Sequence, residues 1–295
     1  MKSVLNFGSI NVDHVYTVDH FVSPGETLAC RDYRRFAGGK GLNQSIALAQ
    51  AGARAYHAGK VGADDGWLKT LMEDKGVNTT FVDAIDGTSG HAVIQVNAAG
   101  ENAIVIVGGA NQRIDESDIE RVIAGFEPGD YLLVQNEVNA VPEIIRPAKA
   151  KGMTVVFNPA PMTPQVLEYP LDLVDILVVN ETEARSLTGE IKPAAIHDSL
   201  RQRYPQMTLV LTQGQRGADY FSPQAHLHQP AEKVQVVDST GAGDTFIGFF
   251  LAELIKTDDP KIALAFAGRA AALCVTRHGA AGSIPSRAEV EARQQ

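Results

Sequence analysis

"DSTGAGDTFIGFF", residues 238–250, decides how the chain is read. A Gly-Ala-Gly turn opens an apolar run with helical character. The first N–H groups of a helix lack carbonyl partners and carry partial positive charge, so a helix start attracts anions. Yet Asp244, itself negative, stands where a phosphate would sit. Two readings are open. Asp244 is a plain N-cap, its carboxylate used up by the N–H of the second or third helical residue. Or the bulkless Gly241-Ala242-Gly243 backbone turns its N–H groups onto an external anion, with Asp244 beside them as a base.

Outward from this stretch the chain alternates strand and helix. VLNFGSI (4–10), YLLVQNE (131–137), TVVFNPA (154–160), DILVVNE (175–181) and TLVLTQG (208–214) are apolar on both faces and end in polar or glycine residues. That is the signature of parallel strands covered by helices. NQSIALAQAGA (43–53), DDGWLKTLMEDKG (64–76), DESDIERVIAGF (115–126) and PEIIRPAKAKG (142–152) are expected helices. IALAFAGRAAALCV is interrupted by Arg269 and too short for a membrane span, so it is expected to be a buried helix. The fold class is therefore α/β, a layered domain with a mostly parallel sheet. Ligands in such folds bind outside the carboxyl ends of the strands.

Two segments break the alternation. DHVYTVDHF (13–21) with ETLACRDYRRF (26–36), and GHAVIQVNAAGENAIVIV (90–107), have the pattern of hairpins. They are expected to form a small separate sheet, inserted at about 12–36 and 90–107. The alternative is an ordinary edge of the main sheet.

The chain has 295 residues, 44% hydrophobic and 21% charged, ample for a large core in one domain spanning 1–295. Its 35 acidic and 26 basic residues give a formal charge of −9, with no long basic run, which argues against nucleic acid or anionic membrane as partners. Cys30 and Cys274 are far apart and form no CxxC, so neither a disulfide framework nor a zinc site is expected. MKSVLNFGSI is too quickly polar for a secretory signal, and a cytoplasmic location is expected.

Further motifs lie at strand ends. Asn11 and Asp13 in GSINVDH are two apart, so an extended chain points both to one face. An Asn/Asp pair suits neutral hydroxyls, and it is equally ordinary turn chemistry. GGKGLNQS (38–45) lacks the P-loop spacing, but its glycines let backbone approach a ligand; the alternative is a plain turn with Lys40 in solvent. Asn43 is placed to cap the following helix. VVNETEA (178–184) sets Asn180 and Glu183 three apart at a strand-to-helix junction. Glu183 there either holds a magnesium water or is simply an acid in a helix's first turn. TQGQRGADY (212–220) is a tight turn, either a nucleotide-facing loop with Thr212 touching phosphate or a hairpin.

As an ordered set these motifs resemble the ribokinase-like, or PfkB, family of carbohydrate kinases. The resemblance runs along nearly the whole chain: N-x-D at Asn11 and Asp13, GGKG-x-N from Gly38 to Asn43, Glu137 at a strand end, NPAP at 158–161, N-x-T-E at 180–183, T-x-G-x-x-G at 212–217 and D-x-x-G-A-G-D-T-F at 238–246. It implies a ribokinase-like layered αβα domain, with the small sheet as a lid and as the contact of a homodimer. It implies transfer of the γ-phosphoryl of ATP to a small sugar, the 5-hydroxyl of D-ribose first, with deoxyribose, a nucleoside or another sugar as alternatives. From a different class, a sensor of sugar or nucleotide without catalysis is the remaining alternative.

By position, the resemblance makes Asp244 the catalytic base and the Gly241, Ala242 and Gly243 amides the anion hole. The sugar would meet Asn11, Asp13, Gly39, Lys40, Asn43, Glu137 and Asp244. ATP would meet Asn180, Thr212, Gly214, Gly217 and Gly243. Glu183 would organise Mg²⁺ through water. A monovalent cation, usually K⁺, would sit on Asp238, Thr240, Cys274, Arg277, Gly279 and Ser283, mainly through backbone oxygens. Two departures stand out. Gly268 replaces the His or Asn usual near the adenine. Asn136, beside Glu137, replaces an apolar residue, is expected close to the sugar and leaves room for a changed substrate.

Overall fold

The apolar runs become strands because alternate side chains along each one enter opposite cores. Leu132 and Val134 join one buried cluster and Leu133 the other; Leu177 and Val179 separate from Val178 in the same way. The computed structural model describes residues 2–293, so residues 1, 294 and 295 of the expected domain lie outside the described residues.

In chain order the strands are β1 (Ser3–Phe7), β2 (Asn11–Thr17), β3 (Asp32–Gly38), β4 (Arg54–Gly62), β5 (Asn78–Ile85), β6 (Gly90–Val96) and β7 (Asn102–Val107). Then come β8 (Tyr131–Gln135), β9 (Thr154–Asn158), β10 (Ile176–Asn180), β11 (Thr208–Thr212), β12 (Ala218–Phe221) and β13 (His226–Gln229). The helices are α1 (Lys40–Gln50), α2 (Trp67–Asp74), α3 (Glu116–Ala124), α4 (Val141–Ala150), α5 (Glu181–Thr188), α6 (Pro193–Arg203), α7 (Ala242–Thr257), α8 (Pro260–Cys274) and α9 (Arg287–Ala292).

The main sheet runs β13-β12-β11-β10-β9-β8-β1-β4-β5. From β5 across to β11 every pairing is parallel; β12 and β13 add an antiparallel edge. Residues of α1, α2, α7 and α8 fill the core on one face, and residues of α3 to α6 fill the other. This is the layered αβα architecture expected from the alternation.

The small sheet is separate, in the order β3-β2-β6-β7. The pairs β2–β3 and β6–β7 are antiparallel, and β2–β6 is parallel. The edge-of-main-sheet alternative does not hold. The strands are shorter than the patterns: β2 stops at Thr17, and only the last part of 26–36 pairs.

Two local expectations are corrected. Helix α1 begins at Lys40 with Gly39 at its N-cap, so Asn43 lies inside the helix and does not cap it. Residues 64–76 divide into a one-turn 3-10 helix and α2, because Gly66 interrupts them. The 212–220 turn joins the antiparallel strands β11 and β12 as a hairpin, one of its two readings, and Thr212 at its start lines the cleft.

Helices α1 and α7 pack closely at Gly248, where a Cβ would fall 2.4 Å from that of Ala47. That approach sets the first turns of both helices side by side, at the carboxyl end of the parallel sheet. No helix among the described residues is long and apolar enough to cross a membrane.

Candidate active site

Asp244 is the third residue of α7, and its side chain makes no capping bond within its own helix. Instead the side chains of α1 reach it. Nδ2 of Asn43 donates to Oδ2 at 3.2 Å, and Nε2 of Gln44 donates to Oδ1 at 2.9 Å. The plain-cap reading therefore fails. Gly241 caps α7 with φ 76°, the left-handed region that glycine tolerates. A Cβ at Gly243 would meet nothing within 4 Å, so the backbone there lies open to a ligand. The N–H groups of Gly243 and Asp244 belong to the first turn, which has no carbonyl of its own to offer them. Ala242 differs, because its N–H is directed at the Ser239 carbonyl at 3.3 Å.

The cleft above this turn encloses about 230 Å³. Lys40, Asn158, Asn180, Glu183, Thr212, Gly241, Gly243 and Asp244 line it, so residues from six separate elements converge there. Burial raises the pKa of Asp244 and outweighs the lowering by Lys40 and the two amides; Glu137 adds to the rise. Burial pulls the Lys40 ammonium down, but the charges of Asp244, Glu137 and Glu183 outweigh it and hold the pKa above its ordinary value. A half-buried cation surrounded by carboxylates stays charged and is available to an incoming phosphoryl group.

The other half of the site forms around the start of α1. Glu137 Oε2 accepts from the Lys40 N–H at 2.9 Å and from the Ser9 hydroxyl at 2.5 Å. The Gly41 N–H donates to the same Ser9 hydroxyl at 3.1 Å. A Cβ at Gly41 would stand 2.3 Å from the Ser9 nitrogen, so only glycine permits this approach. Asn11 is buried, and its Oδ1 accepts from Nδ2 of Asn111 at 2.7 Å. Asp13, on the same face of β2, has its pKa pushed up to about 6, by burial first and by the Glu137 charge second.

Asn180 and Glu183 form a capping box at α5. The Glu183 N–H donates to Oδ1 of Asn180, and the Asn180 N–H and Nδ2 donate to the Glu183 carboxylate, each at 2.9 Å. Burial raises the Glu183 pKa against these bonds and the Lys40 charge. Thr212 reaches the cleft, with its hydroxyl 3.4 Å from the Val179 carbonyl. Gly214 and Gly217 do not line it. A Cβ at Gly217 would collide with the Gln229 carbonyl, so this glycine serves the hairpin. Gly268, on α8, faces Gln229.

A second cluster sits behind the start of α7. Asp238 Oδ1 accepts from the Thr240 N–H at 2.9 Å and its hydroxyl at 2.6 Å, and Oδ2 accepts from the Gly279 N–H at 2.9 Å. Burial opposes ionisation of Asp238, but these bonds win and hold its pKa below the ordinary value. Cys274 Sγ lies 3.1 Å from the Ser283 hydroxyl. The Arg277 guanidinium turns away to Glu289, leaving only its backbone for this cluster.

Asn136 is a further correction. Its Nδ2 donates to the Pro161 carbonyl at 2.8 Å and to the Thr163 hydroxyl at 3.3 Å, while its Oδ1 accepts from the Tyr169 hydroxyl at 2.9 Å. The amide is engaged by the loop after β9. Sequence reasoning missed Ser9, Gln44 and Asn111. A signal existed for Gln44: NQS opens an otherwise apolar helix, and a polar run on a buried helix needs partners.

A family model described as pfkB family carbohydrate kinase matches residues 1–287. The ribokinase of Staphylococcus aureus (strain COL) is 37% identical over 304 aligned residues, 98% of each chain. The deoxyribokinase of Salmonella typhi is 34% identical over 291, covering 95% of this chain and 94% of that one. The solved structure of Arabidopsis thaliana ribokinase complexed with ribose and ATP superposes with a TM-score of 0.89 at 29% identity, over 99% of this chain and 98% of that one.

Proposed function

The chain belongs to the pfkB family of carbohydrate kinases, and from that membership and the cleft we propose that it transfers the γ-phosphoryl of ATP to the 5-hydroxyl of D-ribose. The observation that carries this reading is Asp244. Its carboxylate is held by two amides of α1 directly beside the open first turn of α7.

Ribose docks against Asn11, Asp13, Gly39, Lys40, Asn43 and Glu137. Their amides and carboxylates suit a neutral polyol, which both donates and accepts. Asn43 Oδ1 is buried and unpartnered, an acceptor ready for a sugar hydroxyl. Asp244 takes the proton of the attacking hydroxyl as general base. The first-turn N–H groups of α7, with Lys40, stabilise the charge spread over the moving phosphoryl group. Asn180, Thr212 and Gly243 lie along the nucleotide, and Gly214 and Gly217 hold the hairpin in shape beside it.

The donor sets suit two hard cations. Both Glu183 oxygens are engaged by Asn180, so this carboxylate would hold Mg²⁺ through its waters; the ion, when bound, neutralises charge on the phosphates. The Asp238 carboxylate, the Ser283 hydroxyl and the backbone oxygens around Thr240, Cys274, Arg277 and Gly279 would hold K⁺ and brace the turn before α7. The small sheet acts as a lid over the sugar and joins two copies into a homodimer. A cytoplasmic location suits free Cys30 and Cys274.

The test is ADP release by purified protein with Mg-ATP and D-ribose, with and without K⁺. Ribose-dependent turnover that rises with K⁺ is expected. Asp244→Asn should lose about 10²–10⁴-fold in kcat, the scale of a general base. Turnover with deoxyribose and not ribose would move the acceptor, and binding of ATP and ribose without ADP release would make the protein a sensor.

A further inference from the structure

Behind Asp244 the molecule buries a chain of side-chain amides. Asn6, Gln44, Ser45, His57 and Gln135 are all fully buried. They turn to protein partners, and of these side chains only Gln135 Oε1 is left without one.

The direction of this chain is forced from its far end. The Gly41 carbonyl can only accept, so the Asn6 group facing it at 2.8 Å is the amide nitrogen. Asn6 therefore presents Oδ1 to Gln135, whose Nε2 donates to it at 2.9 Å. The same Gln135 nitrogen donates to Gln44 Oε1 at 2.7 Å. Gln44 thus has its oxygen committed away from the cleft, and Nε2 must face Asp244. A second anchor gives the same sense. Asn158 Nδ2 donates to the Val178 carbonyl at 3.0 Å, which leaves Asn158 Oδ1 to accept from Gln44 Nε2 at 3.2 Å. Two backbone carbonyls, on different elements, therefore fix one amide.

Resting on the kinase reading above, we propose that Gln44 is a positioning residue for the base: its oriented amide holds Oδ1 of Asp244 as a permanent acceptor and leaves Oδ2 as the oxygen that takes the hydroxyl proton. Both oxygens accept from an amide, but the Gln44 bond to Oδ1 is the shorter, 2.9 Å against 3.2 Å from Asn43 to Oδ2, so protonation at Oδ1 would give up the stronger bond. Oδ2 has only the longer bond from Asn43, at 3.2 Å, and Asp244 lines the cleft. In the transfer, the O–H bond of the sugar breaks, its proton goes to Oδ2, and the freed electron pair forms the new bond to phosphorus as ADP departs. The charged groups around Asp244 are Lys40 from α1, Glu137 from the loop after β8 and Glu183 from α5. None of them selects between the two oxygens, whereas Gln44 does.

The experiment compares the intact protein with Gln44→Met and Gln44→Glu. Melting curves establish that each variant is folded. For Gln44→Met, kcat should fall about 10–100-fold, the usual cost of losing a supporting bond behind a reacting group, with KM for ATP and for the sugar within about threefold of the parent. Gln44→Glu nearly matches the shape but donates only when protonated, so its kcat should rise as pH falls, opposite to the parent. Parent-like kcat in folded Gln44→Met, or a loss expressed wholly in KM, overturns the proposal. If Gln44→Met does not fold, Gln44→Glu decides, and a pH profile parallel to the parent's overturns it. If the parent itself shows no sugar-dependent ADP release, the kinase reading fails first, and that result is distinct from any difference between variants.

Discussion

Asp13 carries a carboxylate whose pKa is pushed from 3.8 up to about 6, by burial first and by the Glu137 charge second. Between those two values the native chain holds a proton that the unfolded chain has released. Asp13 therefore lowers stability as pH rises through that window, the reverse of the usual paired carboxylate. A sugar hydroxyl donating to Asp13 favours its ionised form. Ribose binding near pH 6 is then expected to release a proton. Binding enthalpies measured in two buffers should differ by the released fraction times the difference in their ionisation heats, and equal values would remove Asp13 from the sugar's acceptors. At Asn136 the same residue-level reading closes a question: its amide is spent on residues 161–169, so its departure from the family pattern shapes a loop.

Among the elements, the pair α1 and α7 matters most, because every bond to Asp244 crosses between them. Gly248 sets their separation, and a Cβ there would also come within 2.7 Å of the Leu48 nitrogen. Backbone on one side and a packed Ala47 on the other leave nowhere for it to go. Gly248→Ala should cost about 1–3 kcal/mol as overpacking, lowering the melting temperature by several degrees. It should lower kcat as well, since Asn43 and Gln44 shift away from Asp244. A melting temperature and kcat both equal to the parent's would show that the helix pair has slack.

At the scale of the whole molecule, the small sheet joins one core only through Val12 and Ala37 near its base. Its edge strand β7 exposes Ile104, Val105 and Ile106 at 51, 65 and 60%. An unpaired strand edge bearing large apolar groups is a site for pairing with another chain. If the lid is the dimer contact, Ile104→Glu with Ile106→Glu should shift the sedimentation coefficient from dimer to monomer. Both residues lie on one face of the strand, so the double change charges that face without reaching Asp244. An unchanged dimer would place the contact elsewhere.

Much was legible in the sequence because it is local. Strands apolar on both faces announce a covered parallel sheet, since burial on two sides needs no knowledge of partners. The Gly-Ala-Gly-Asp turn announces a site because glycine and a first-turn carboxylate act within a few residues. Tertiary structure decided what those residues do. Asn43 was read as a cap because capping is a local rule; in the fold it donates to Asp244, 201 residues away. Glu137, Ser9 and Lys40 meet only because the end of β1, the start of α1 and the turn after β8 come together at the carboxyl end of the sheet. The direction of the Gln44 amide is set by carbonyls on other elements, through bonds no spacing reveals. Sequence pattern determined which segments are buried and where the chain turns, because those follow from side-chain solvation. The partner of each buried polar atom was decided by packing, because a hydrogen bond depends on where two distant backbones come to rest.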